Sequence, residues 1–435
     1  MMNNRNIPIF KKAAICLIFL FFSLQVFPQQ HVTLEQCYEW TVLNAPTFSQ
    51  ISKYEHLSDI KQLEAIWNYL PKFELNAKAT YQDPVITVEQ QDGAPLSLFP
   101  VFPHDNYQLT FDLTMPIYDG GITSNTKKYN KLTSDLDIVK TEITLFQLKE
   151  HISKVYLSIF FTDENIEILN LHIKNLSADI EKVSTLVNNG VMMKYNLDAL
   201  ETEKLKIEQQ KIELLTQRKY LVSVLSEYTG KDLSNAALKL PEVDVTDVGL
   251  KSLRPEFEAF LLQIESLDYQ KKLLSGDSYP KLNLFATGGY ARPTYNFFDV
   301  DFGWQYMVGA TLKIPLMNWF KTKTGRQFIS IQQELIDLQK NEYEVNIRVQ
   351  LMQKLSNIEK YSLMMEQDDA IVKKCGDMAF IAKSQLEEGT ITANDYLKEL
   401  NKHTEALLKQ KLHSLNLLQA KIEFNTLKGD LSINH

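Results

Sequence analysis

The stretch Tyr107-Gln108-Leu109-Thr110-Phe111-Asp112-Leu113-Thr114-Met115 places an apolar side chain at every second position and a polar one between. A β-strand points successive side chains to opposite faces, so this pattern sets one apolar face against one polar face. A companion precedes it, in which Phe73, Leu75, Ala77, Ala79 and Tyr81 alternate with Glu74, Asn76, Lys78 and Thr80. Two more follow far downstream. Leu282, Leu284, Ala286, Gly288 and Tyr290 form one apolar row, and Trp304, Tyr306, Val308, Ala310, Leu312 and Ile314 form the other. Ten residues rising ~3.3 Å each, tilted, cross the ~25 Å apolar band of an outer membrane. Half-buried hairpins of a soluble domain give the same alternation, so the pattern alone leaves both readings open. Aromatic residues near the strand ends (Tyr81, Tyr107, Tyr290, Trp304) favour membrane strands.

The strand pairs belong to a duplicated unit. Pro46 and Pro71 recur 209 residues on as Pro255 and Pro280, and Pro71-Lys72-Phe73-Glu74-Leu75-Asn76-Ala77 recurs as Pro280-Lys281-Leu282-Asn283-Leu284-Phe285-Ala286. Pro116, Gly190 and Gly230 recur 199 residues on as Pro315, Gly389 and Gly429. The offset changes once, by ten residues, between Pro71 and Pro116. Two copies of one large unit are therefore expected. Repeat one covers 30–230, with a helix, a strand pair at 73–116 and a helical hairpin at 122–229. An inter-repeat segment follows at 231–254. Repeat two covers 255–435, with a helix, a strand pair at 281–315 and a hairpin at 320–428.

Each copy opens on a helical pattern, the first from Leu34 to about Leu70, and closes on a much longer one. No proline interrupts Ile117 to Leu240 or Leu316 to the end, and no glycine lies between Ile122 and Asn189. Leu132, Leu136, Val139, Ile143 and Phe146 step by four and three, the coiled-coil spacing. A helix from Ile122 to Val187 runs on the order of 100 Å at ~1.5 Å per residue. The stretches Leu197–Tyr228 and Tyr396–Leu427 return along it and its counterpart, with Gly190 and Gly389 breaking the hairpins at their tips.

Residues 1–29 read as a secretory signal. Arg5, Lys11 and Lys12 precede an apolar run from Ala13 to Phe27, shorter than the ~20 residues of a spanning helix. Cys16 lies early in that run, so lipidation is not expected. The net charge is −8, and −11 once those three basic residues are removed, which excludes a nucleic-acid binder as the default reading. Cys37 and Cys375 make no disulfide framework. No phosphate-cradling glycine loop, zinc motif or nucleophile elbow is present, so neither an enzyme nor a cofactor is expected.

Four strands cannot close a barrel, because about eight are the minimum. Open edges in lipid leave backbone groups without partners. Strands in a membrane therefore require several copies to share one barrel, and physics does not fix the number.

The chain resembles the TolC-like outer-membrane efflux proteins from about Leu34 to Gly429. The resemblance rests on Val32-Thr33-Leu34-Glu35-Gln36-Cys37, on Leu70-Pro71 and on Met115-Pro116-Ile117-Tyr118-Asp119-Gly120-Gly121, a strand-to-helix turn of the family type. The second copy departs there, reading Pro315-Leu316-Met317-Asn318-Trp319-Phe320 without glycines. The tips Asn188-Asn189-Gly190-Val191 and Glu387-Glu388-Gly389-Thr390 also match.

The resemblance implies a mixed α/β membrane protein, a homotrimer with a twelve-stranded barrel in the outer membrane and a periplasmic α-helical tunnel. Such a duct serves a tripartite efflux or type I secretion system, with a periplasmic adaptor and an inner-membrane transporter as partners. The ten extra residues within Gln82–His104 become a longer outer loop. A ring of Asp395, with Lys398 nearby, is implied at the periplasmic aperture. Gly190, Val191, Met192, Gly389, Thr390 and Ile391 are implied at the adaptor-contacting tips. A residue-level alternative has Asp395 and Asn196 capping the returning helices. The competing class is a non-conducting periplasmic coiled-coil scaffold or adaptor, which fits the helices but should lack amphipathic strands long enough to cross a membrane; a cytoplasmic scaffold fails on the signal as well.

Overall fold

The computed structural model describes residues 31–85, 102–245, 248–296 and 298–429. The signal sequence and most of the Gln82–His104 loop lie outside them. The chain is mostly helical with some sheet. Its elements run β1 (His31–Val32), α1 (Leu34–Asn44), α2 (Phe48–Trp67), β2 (Lys72–Tyr81), β3 (Asp105–Tyr118), α3 (Ile122–Asn188) and α4 (Lys194–Thr229). They continue as β4 (Ala237–Leu238), α5 (Pro255–Gly276), β5 (Lys281–Arg292), β6 (Gly303–Lys313), α6 (Asn318–Glu387) and α7 (Ala393–Lys428). Helix, two strands and two long helices thus occur twice in sequence. The helical stretch from Leu34 is broken where Pro46 forces the preceding residue out of helical geometry; Ala45 is extended at φ −67°, ψ 123°.

The chain forms two compact units. The first gathers the described residues up to 45, within 146–251 and from 350 onward. In it β1 pairs in parallel with β4. The Tyr156 hydroxyl ties them, lying 2.7 Å from the carbonyl oxygens of Val32 and Lys239 and accepting from the Lys239 N–H at 3.1 Å. Leu34, Cys37, Ile152, Ile159 and Leu225 pack fully buried around that ring. Thr33 starts α1 with a capping box: its hydroxyl accepts from the Gln36 N–H, and Gln36 Oε1 accepts from the Thr33 N–H. Asn44 Nδ2 donates to the carbonyls of Glu227 and Tyr228 at 3.1 Å each, satisfying the end of α4. Burial raises the Cys37 thiol to about 12, with the nearby Glu35 charge adding to the effect. Almost no thiolate exists at pH 8, so iodoacetamide should leave Cys37 unmodified in the native protein and alkylate it only after denaturation. Labelling of native Cys37 at the denatured rate would contradict this packing.

The second unit gathers residues 46–145 and 252–349. Its sheet is antiparallel, in the order β2-β3-β5-β6. The register carries the sequence alternation across all four strands. Ala77, Leu109, Tyr290 and Trp304 form one row, and Leu75, Phe111, Gly288 and Tyr306 form the next. One face is therefore apolar from edge to edge. The other carries Asn76, Thr110 and Thr287, all donating to the Asp112 carboxylate at 2.7, 3.0 and 2.6 Å. At one end Tyr107 and Tyr290 stack on Phe302, and Trp304 meets Tyr290 edge-on.

At the opposite end of β3, Pro116 has no N–H to give the ladder, and the register shifts between Pro116 and Tyr118. Asp119 then closes the turn into α3. Its Oδ1 accepts from the Gly121 N–H and the Tyr69 hydroxyl at 2.9 Å each, and its Oδ2 accepts from the Thr123 N–H at 2.7 Å. Burial works against the Asp119 charge, but the hydrogen bonds from Thr123, Tyr69 and Gly121 outweigh it and hold the carboxyl below its usual range. Gly120 sits at φ +75°, and a Cβ there would lie 2.6 Å from the Gly276 carbonyl oxygen. The glycine is thus required twice, by conformation and by the approach of α5. In the second copy no glycine turn exists. Instead Asn318 Nδ2 donates to the Asp277 carbonyl at 3.1 Å, and the Thr322 and Ser278 hydroxyls bond at 2.6 Å.

Candidate functional site

The two hairpin tips of the first unit share one backbone solution. After α3, Gly190 takes φ +71°, and the Val191 N–H donates to the Leu186 carbonyl at 2.9 Å. After α6, Gly389 takes φ +73°, and the Thr390 N–H donates to the Gln385 carbonyl at 2.9 Å. Each is a left-handed helix stop of the Schellman kind, which glycine enters without strain. Val191, Met193 and Tyr195 project into solvent. Met192 and Ile391 instead lean on a core of Leu176, Leu200, Tyr396 and Leu400.

Asp395 and Lys398 are both exposed on the first turns of α7. Asp395 is part of a capping box: Thr392 Oγ1 accepts from the Asp395 N–H at 3.3 Å, and Asp395 Oδ2 accepts from the Thr392 N–H at 3.2 Å and hydroxyl at 2.7 Å. The Thr392 side-chain bond is the main cause of a lowered Asp395 pKa, followed by the Thr392 backbone bond and, more weakly, by Lys398. The expectation that Asn196 caps its own helix is corrected. The N-cap of α4 is Met193, with no side-chain bond, and Asn196 Oδ1 reaches across to accept the Ala393 N–H of α7 at 2.9 Å.

That crossing is one of several contacts joining the two tips. Asn394 Nδ2 donates to the Tyr195 hydroxyl at 2.6 Å, and Lys182 pairs with Glu387 at 2.8 Å. Deeper, buried Asp179 accepts from the Tyr396 hydroxyl and pairs with Lys383 at 2.5 Å. Burial is the first cause raising the Tyr396 hydroxyl far above its ordinary range, and the Asp179 bond the second. Sequence reading missed Asp179, Lys383 and Asn196's true partner. A lone acidic residue on the apolar stripe of α3 was the available signal for Asp179.

Pro116, Asp119, Gly120 and Gly121 sit together at the strand-to-helix turn of the second unit, and Pro315 follows β6 there without an equivalent turn. Among the described residues no cluster of His, Cys, Asp and Glu is arranged to hold a metal, and no helix is long and apolar enough to cross a membrane. The latter says nothing about strands.

An amphipathic four-stranded sheet followed by very long helical hairpins is a fold that solved outer-membrane channels also have. Solved structures bear this out at the level of fold. The outer membrane protein VceC of Vibrio cholerae is 16% identical, with a TM-score of 0.67 over 92% of this chain and 97% of its own. The CmeC outer membrane channel of Campylobacter jejuni is 13% identical at 0.67, covering 91% and 85%. The MtrE outer membrane channel of Neisseria gonorrhoeae, in its open state, is 11% identical at 0.64, covering 91% and 89%. These neighbours are TolC-family outer-membrane channels rather than enzymes, and the chain has their fold. No protein-family model and no curated protein matches the sequence.

Proposed function

We propose that the chain is one third of an outer-membrane exit duct. Three copies pool four strands each into a twelve-stranded barrel, which continues into a periplasmic tunnel of long helices. Substrates delivered by an inner-membrane transporter and a periplasmic adaptor pass through it to the outside, as in tripartite efflux or type I secretion. The observation that carries this reading is the sidedness of the sheet: an apolar face continuous over four strands, a polar face opposite, and two edges, β2 and β6, with no partner among the described residues. Lipid requires the apolar face, a water-filled lumen the polar one, and the edges require neighbouring copies. In this reading residues 1–29 are removed on export, 30–230 and 255–435 are the two repeats around the 231–254 segment, and the protein resides in the outer membrane.

At the periplasmic end, three copies of Asp395 ring the aperture. Gly190, Val191, Met192, Gly389, Thr390 and Ile391 meet the adaptor. The exposed Val191 gives that contact an apolar component. The lowered pKa keeps Asp395 ionised at neutral pH, so the ring concentrates negative potential and disfavours anions. Its capping contribution is present above the unfolded carboxyl pKa and is lost as pH falls through the lower folded value.

The test is single-channel recording in planar bilayers. Wild-type protein should give discrete cation-preferring pores. Asp395→Ala should raise conductance or weaken cation preference. Thr392→Ala, which breaks the same box but keeps the charge, should leave selectivity intact while weakening the helix start by about 1 kcal/mol. Absence of any pore from inserted protein would favour a non-conducting scaffold. Equal selectivity in Asp395→Ala and wild type would reduce Asp395 to a cap.

A further inference from the structure

We propose that the groove between the end of α5 and the start of α6 binds the phosphate headgroup of an anionic phospholipid, in the leaflet nearest the helices. This rests on the membrane reading above and adds a ligand to it. The groove encloses about 760 Å³ and lies against the rim of the sheet: Tyr279 lines it just before β5 begins, and Trp319 lines it shortly after β6 ends.

Two cations, Lys323 and Arg326, stand one helical turn apart in the wall, and the one carboxylate of the lining, Glu334, lies two turns further along α6 from Arg326. Neither cation makes an ion pair with a described residue, whereas Arg292 at the far end of the sheet is paired with Asp105. Unpaired neighbouring cations in a concave wall are suited to a phosphate. The Ser278 and Thr322 hydroxyls line the same wall but are taken by each other and by the Leu274 carbonyl, so the two cations carry the recognition.

The surroundings supply the lipid rather than a free anion. Leu316, Met317, Trp319 and Phe320 are all more than half exposed and follow within a few residues of the apolar row of β6. Amphipathic aromatics at the edge of an apolar band occupy the headgroup level. The same rim carries Lys313 opposite Lys281 in the β5–β6 register, with Lys281 paired to Asp277 at 3.2 Å, while Asp299 and Asp301 lie in the segment joining the other ends of these strands. The positive rim is therefore the one beside the groove. A headgroup phosphate between Lys323 and Arg326 leaves its acyl chains continuous with the apolar sheet face.

Native mass spectrometry of the detergent-solubilised full chain, titrated with phosphatidylglycerol, reads this directly. Wild type should retain phosphatidylglycerol in preference to phosphatidylcholine, and the double variant K323Q/R326Q should lose at least ten-fold in affinity. K373Q/K374Q, which removes as much charge elsewhere on α6, should bind as wild type does. Equal retention by K323Q/R326Q overturns the proposal while leaving the membrane reading intact. Displacement of the lipid by millimolar glycerol phosphate also overturns it, because the groove is then a free-anion site. A chain that stays soluble without detergent fails the membrane reading itself, at a step before any lipid is added.

Discussion

Phe111→Arg should remove the protein from the outer-membrane fraction. Phe111 lies mid-strand in β3, opposite Leu75 on β2 and Gly288 on β5, with its ring 5.7 Å from that of Phe73. It is half exposed in the single chain, as the proposed lipid-facing position requires. A guanidinium at the bilayer midplane of a barrel costs about 2–4 kcal/mol. In the proposed trimer, three copies would place three such charges in one barrel, a cost comparable with the 5–15 kcal/mol by which whole domains are stable. The measurement is the amount of protein in the detergent-extracted outer-membrane fraction. Met307→Arg is the matched control. Met307 sits opposite Thr287 on the polar face, in the row that contains Asp112, so an added charge there meets water and a carboxylate. Normal levels of Met307→Arg beside absent Phe111→Arg are expected. Equal tolerance of both would mean that the two faces do not see different solvents.

Asp179→Ala should give a large loss of stability in the helical hairpins. Asp179 is 3% exposed and holds both Lys383 and Tyr396, so truncation leaves a cation and a hydroxyl without their shared partner. Breaking a buried pair costs ~3–5 kcal/mol. Lys383 is 32% exposed and regains some water, which places the expectation near the lower end, about 3 kcal/mol. Tyr396→Phe removes only the hydrogen bond and should cost about 1–2 kcal/mol, because the ring stays in the core and the acceptor keeps Lys383. Thermal unfolding followed by far-ultraviolet circular dichroism separates the two. A smaller loss for Asp179→Ala than for Tyr396→Phe would contradict the arrangement of the three side chains.

The parts of the fold legible in the sequence are those set by local periodicity. Tyr107 to Met115 alternates because each strand has a polar and an apolar neighbour medium, and the strand Asp105–Tyr118 follows that alternation. Ile122 to Asn188 is one helix because nothing in it stops one. Gly190 and Gly389 were legible because a helix stop needs positive φ, which glycine supplies. What stayed hidden depends on residues far apart in the chain. The need for glycine at 120 comes partly from the carbonyl of Gly276, and the role of Asn196 comes from an amide 197 residues away. Asp119 reads as part of a turn, and it is one; what the sequence does not show is that its carboxylate accepts from Tyr69, Gly121 and Thr123 and so ties the turn to α2 and to the first turn of α3. The exact pairing β3–β5 was invisible for the same reason. The register brings the Gly289 Cα so near β3 that a Cβ would lie 2.1 Å from the Leu109 carbonyl oxygen. No local pattern announces such a contact.

In the proposed assembly the four strands of each chain close into a barrel by being shared among three chains. Light scattering on the particle extracted from outer membranes, coupled to size-exclusion chromatography in detergent, weighs it most directly. A shared barrel requires a protein mass of three mature chains, with no soluble form when detergent is omitted. A monomer that stays in solution without detergent would contradict it.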